Sequence, residues 1–109
     1  MSRKTNEILK KDNFLVEVLL DHKGRNNAIS RYALAKCLTD NGFYAKPSTI
    51  HSIVARVIKE RHLPICSING KGYYWAKSRE DILSCINELQ MRVDSLTEHI
   101  NHLKNFIMY

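Results

Sequence analysis

Eight apolar residues near the end of the chain repeat at alternating intervals of four and three: Ile82, Ile86, Leu89, Val93, Leu96, Ile100, Leu103 and Ile107. No other feature constrains the fold as tightly, because a spacing of 3.5 keeps one apolar seam on a single side of a helix for its whole length. With Ile86, Val93, Ile100 and Ile107 at the a positions, Ile82, Leu89, Leu96 and Leu103 fall at d. Every a residue is β-branched and three of the four d residues are Leu, a split that favours a parallel two-stranded coiled coil. The flanks add little pairing specificity: Gln90, Thr97 and Lys104 stand at e, Arg92, His99 and Phe106 at g. Orientation and stoichiometry therefore rest on the a/d choice alone, which favours the parallel dimer over the alternatives of a trimer or an antiparallel pair. The expected partner is a second copy of the chain, and residues 78–109 are expected to be the dimerisation helix. Its first turns, with Ile82, Leu83 and Ile86, are expected to pack partly on the upstream domain.

The chain has 109 residues, which leaves under 80 for a globular part. A core of that size supplies only a few kcal/mol, so dimerisation would add stability as well as valence. Charge divides unevenly along the chain. The net charge is +6, but from Glu80 onward five acids face two bases, whereas the first 79 residues hold fifteen bases against six acids, a net +9. A basic head of this kind is the electrostatic footprint of a polyanion binder.

The head reads as three helices and a hairpin. Residues 1–11 carry Arg3, Lys4, Lys10 and Lys11 against Glu7 and are expected to form a basic arm. Asp12 or Asn13 can cap a first helix whose buried stripe is Phe14, Leu15, Val18 and Leu19, with Gly24 at its stop and Lys23–Asn27 as a loop. Ser30 can cap a second helix with Leu34, Cys37 and Leu38 on one face, ended by Asn41-Gly42. Pro47 biases Lys46 to an extended backbone, so a third helix is expected from Ser48 or Thr49. Its apolar positions, Ile50, Ile53, Val54, Val57 and Ile58, leave an opposite face of Thr49, Ser52, Arg56 and Lys59, bordered by His51 and Ala55 and free of acids. Pro64–Ile68, a turn at Asn69-Gly70-Lys71-Gly72 and the aromatic Tyr73-Tyr74-Trp75-Ala76 read as a β-hairpin, with Tyr73 and Trp75 on one face and Tyr74 on the other. Ser78, followed by Asp81, opens the long helix. The expected fold is mostly α with a small β-hairpin, in three parts: arm (1–11), helices and hairpin (12–77), and coil (78–109).

Three helices followed by a hairpin is the order of a winged helix-turn-helix. The stretch Leu63-Pro64-Ile65-Cys66-Ser67-Ile68-Asn69-Gly70-Lys71-Gly72-Tyr73 resembles the wing of the biotin operon repressor's N-terminal domain and related helix-turn-helix modules, whose turn is a Gly-Lys-Gly-Tyr. Ile29-Ser30 followed by Leu34-Ala35 is similar to the start of that family's second helix, and the likeness spans residues 12–77. The link from Thr39 to Pro47 is longer than the family's tight turn, and no ligase activity is implied. A short wing domain with an appended coil also resembles small proteins of bacteriophages and mobile elements.

The resemblance implies that double-stranded DNA is the partner. It puts Thr49, Ser52, Arg56 and Lys59 on the recognition face, Arg56 being the candidate for bidentate contact with guanine. It makes Lys71 and Lys46 phosphate clamps and lets Arg3, Lys4, Lys10 and Lys11 reach a neighbouring groove. The implied function is a homodimeric, small transcriptional regulator. Two alternatives are an accessory or inhibitor that binds a host or phage protein, and a replication or recombination accessory that holds DNA with low sequence preference.

Other chemistries find no support in the residues. There is no H-E-x-x-H and no phosphate-binding G-x-x-x-x-G-K-[ST] loop, and the acids stand singly. His99 and His102 fall at g and c, facing solvent, and Cys37, Cys66 and Cys85 lack the short spacing of a zinc site. Cys37 and Cys66 are expected to be buried thiols. No enzyme activity, cofactor or metal is expected. No run of 18 apolar residues would span a membrane, and the basic start runs into Thr5-Asn6-Glu7 rather than an apolar signal core, so a cytoplasmic protein is expected.

Overall fold

A computed structural model of the chain describes residues 6–68 and 72–107. It is mostly helical: α1 (Asn6–Leu20), α2 (Arg31–Asp40), α3 (Pro47–Arg61) and α4 (Arg79–Lys104), with one antiparallel hairpin of β1 (Ile65–Ile68) and β2 (Gly72–Trp75). No described helix is long and apolar enough to cross a membrane.

The first helix starts earlier than its sequence suggests. Asp12 is not a cap but a mid-helix residue, and most of the segment expected as a basic arm, Asn6–Lys11, is helical. The reason is periodicity: Asp12, Leu15 and Leu19 are spaced i, i+3, i+7, so all three lie on one stripe, and all three are fully buried. Phe14 and Val18 pack at the margin of the core. The helix stops at Leu20, before Gly24.

The segment after it is more ordered than a plain loop. Gly24, at φ +88°, donates its N–H to the Trp75 carbonyl at 2.8 Å, and Arg25–Asn27 form a single 3-10 turn. Ile29 then exchanges two backbone hydrogen bonds with Tyr73, at 2.8 and 2.9 Å. The outer edge of β2 is thus paired at both ends by the chain that joins α1 to α2. Gly72 permits this: at φ +122°, a Cβ there would fall 2.0 Å from the Ile29 carbonyl oxygen. The close approach that demands this glycine lies inside the head.

Ser30 caps α2 as expected, accepting from the Ala33 N–H at 3.1 Å. Leu34 and Leu38 are fully buried and Ala35 nearly so; Cys37, expected to be buried, is only half-buried. The long link to α3 is held by Thr39, whose hydroxyl donates to the Ala45 carbonyl and accepts from the Ala45 N–H, both at 3.2 Å, and by Phe43 stacked at a tilt on Phe14 with ring centres 5.5 Å apart. Lys46 is extended as expected, but α3 opens at Pro47, ahead of the expected Ser48 or Thr49, because a proline's missing N–H costs nothing at the first helical position. Ile50, Ile53, Val54 and Val57 bury the inner face of α3, which ends on His62 in the left-handed conformation.

The hairpin pairs Ile65 with Trp75, Cys66 with Tyr74 and Ser67 with Tyr73. Ile65, Tyr73 and Trp75 face the three-helix core. Tyr74, fully buried, and Cys66 point the other way, toward α4. The hairpin therefore has two covered faces.

Candidate nucleic-acid interface

The face of α3 turned away from the core is built from Ser48, His51, Ser52, Ala55 and Lys59, all exposed and none acidic. At about 100° per residue this stripe lies opposite the arc centred on Ile53, Val54 and Val57. His51 and Ala55, placed at the border by the sequence, belong to it. Thr49 is exposed on its flank, its hydroxyl donating to the Lys46 carbonyl at 2.9 Å, and Lys46 is exposed at the start of the helix.

Arg56 corrects the expectation of a free base reader. Its Nη2 donates to Asp12 Oδ1 at 2.5 Å, its Nε stands 3.6 Å from Glu60, and its side chain is 39 % exposed. Asp12 is fully buried, so Arg56 is the cation that makes a carboxylate tolerable in the seam between α1 and α3. Arg61 also turns to α1, donating to Asn13 Oδ1 at 2.8 Å. Both α3 arginines thus tie the helix to its neighbour.

The remaining expected cations divide. Lys59, Lys46 and Lys10 are exposed. Lys11 donates to the Tyr44 carbonyl at 2.7 Å. Arg3, Lys4 and Lys71 lie outside the described residues. Sequence reasoning missed Arg31 and Tyr32, exposed together in the first turn of α2. The Arg31 guanidinium lies 5.0 Å from the Tyr32 ring centre and donates to its hydroxyl at 2.9 Å, which holds Arg31 above its ordinary pKa. The available signal was an Arg-Tyr pair directly after a capping serine.

The long helix presents a second surface. None of its described residues is buried. From Ile82 to Leu103 the a and d residues are between 42 % and 57 % exposed. The expectation that Ile82, Leu83 and Ile86 pack on the head is overturned. The contact is made instead by Asp81, Cys85 and Glu88, three half-buried residues at c and g positions, about 100° around the helix from the seam. Tyr74 donates its hydroxyl to the Asp81 carbonyl at 3.4 Å, and Arg25 forms an ion pair with Glu88 that raises the Arg25 pKa. Burial, reinforced by the neighbouring Cys85 thiol, pushes the Cys66 thiol up to about 12; burial and the adjacent Cys66 push the Tyr74 phenol up to about 12. The helix ends at Lys104, and Ile107 follows in a turn, 81 % exposed, so the last expected a position lies beyond the helical seam.

No protein-family model, curated protein or solved structure matches the chain.

Proposed function

We propose that this chain is a homodimeric DNA-binding protein of the winged helix-turn-helix kind, acting as a small transcriptional regulator. The observation that carries the reading is the exposed, acid-free stripe on α3 in a head of net charge +9, since an ordinary solvated helix face mixes both signs. The order of three helices and a hairpin agrees with it, as does the pairing of Ile29 with Tyr73, which braces the hairpin beside the start of α2. The long helix supplies the second copy.

Magnitudes assign the roles on α3. A bidentate guanine contact is worth about 1–3 kcal/mol. Breaking a buried ion pair by removing one of its members costs about 3–5 kcal/mol. Arg56 therefore stays on Asp12 when DNA binds. The bases are met by Ser48, Ser52, Ala55 and Lys59, with Ala55 suited to a thymine methyl group and the serines to either hydrogen-bonding edge. Lys46, Arg31 and the hairpin turn's Lys71 contact phosphate.

The test is duplex binding measured against salt. The affinity of the wild-type chain is expected to fall steeply as salt rises, and Lys46→Ala, which removes one phosphate contact, to weaken binding and flatten the log–log salt slope by about 0.9. The stability of that variant should stay within about 0.5 kcal/mol of wild type. No duplex binding at low salt would end the proposal in favour of a protein partner.

A further inference from the structure

The junction between head and coil carries information about the DNA itself. Only Ala76, Lys77 and Ser78 separate β2 from α4. The Ala76 N–H donates to the Pro64 carbonyl at 2.9 Å, the Lys77 N–H to Asp81 Oδ2 at 3.0 Å, and Ser78 caps α4 by accepting from the Asp81 N–H at 3.2 Å. Further along, α4 is held at Asp81 by Tyr74 and at Glu88 by Arg25, with Cys85 half-buried between them. Arg25 stands on the 3-10 turn that Gly24 hangs on the Trp75 carbonyl, and the aliphatic stem of Lys77 lies over Gly24. The first turns of α4, from Asp81 to Glu88, are thus clamped to the hairpin and to the segment beside it. The clamped stripe lies about 100° from the seam, so the seam is free to pair along its length while the head is held.

Resting on the proposed DNA binding, we infer that the target is an inverted repeat with a single fixed spacing between its halves. The seam's β-branched a residues and its Leu-rich d set select a parallel pair, which closes with two-fold symmetry and puts both heads at one end. The clamp gives each head one orientation relative to its own helix. The two α3 faces therefore stand at one separation and are related by a two-fold axis. DNA that satisfies both must share the axis and present its half-sites at one phase of the double helix.

Selection of bound fragments from a random duplex pool, using the full-length chain, tests this. The expected product is one inverted repeat at one spacing. Inserting roughly five base pairs between its halves, about half a helical turn, should lower affinity by about 100-fold. A variant with Gly-Ser-Gly-Ser inserted between Ala76 and Lys77 and carrying Glu88→Ala should still dimerise and should bind several spacings with similar affinity. Single half-sites, direct repeats, or inverted repeats at several spacings from the wild-type chain would overturn the inference and leave DNA binding standing. A pool that returns no motif, with no salt-sensitive binding, would overturn both. A wild-type preference for one spacing that survives the insertion unchanged would show that the clamp does not set it.

Discussion

Two parts of one chain treat their apolar residues in opposite ways. In the ten residues of α2, Leu34, Ala35 and Leu38 vanish into the head; in the twenty-six residues of α4, no side chain is buried. The head satisfies its hydrophobic residues internally, by bringing α1, α2, α3 and the hairpin around one core. The long helix carries a longer apolar repeat than any of them and nothing of its own chain to lay that repeat against. A helix whose apolar face is left in water is marginal, since most helical stability comes from packing that face. The contrast teaches that periodicity measures the demand for burial, and that the source of the partner, same chain or another, is a separate matter.

The sharpest way to break the contrast is to spoil the seam. Burying a Leu is worth about 1.5–3 kcal/mol, and symmetry doubles the effect. Leu96→Asp should therefore weaken self-association by at least about a hundredfold, read by sedimentation equilibrium, and lower the far-ultraviolet helical signal while the head stays folded. The complementary change strikes the head. Gly72→Ala forces a methyl group into the Ile29 carbonyl. It should cost on the order of 3 kcal/mol, read as an early urea transition of the head with the coil intact.

Smaller effects sharpen the picture. Arg56→Ala should destabilise the head by about 2 kcal/mol, below the full cost of orphaning a buried charge because the guanidinium is partly solvated. Adding Asp12→Leu should recover most of that loss, since no carboxylate is then left behind. Urea titrations of the two variants decide it. The alkaline limb of stability reports the junction. Cys66 and Tyr74 hold their protons up to about 12 in the folded chain. Their folded pKa values lie above the unfolded ones, so their contribution is complete below about pH 9 and is lost as pH rises toward 12. The urea midpoint should decline across that window, and Cys66→Ala with Tyr74→Phe should flatten the decline.

Much of this architecture was legible in the residues, and the failures share a cause. Ser30 as a cap, the buried face of α3 and the two faces of the aromatic strand all follow from interactions spanning a few residues. The start of α1 was misread because Asp12 has the chemistry of a cap, while its position on the Leu15–Leu19 stripe pointed inward. Arg56 was misread for the same reason from the other side: a basic residue at the edge of a polar face looks free until its partner is known.

Sequence alone determined the seam of α4, because a 3.5-residue repeat is a local property that survives in any context. It also determined the basic head and acidic tail. Tertiary structure decided that Arg56 serves Asp12, 44 residues away, that Gly72 makes room for Ile29, and that Asp81, Cys85 and Glu88 rather than the seam bind the head. Those outcomes depend on which surfaces meet, and a buried charge or a close backbone approach is settled only by the group on the other side of the contact.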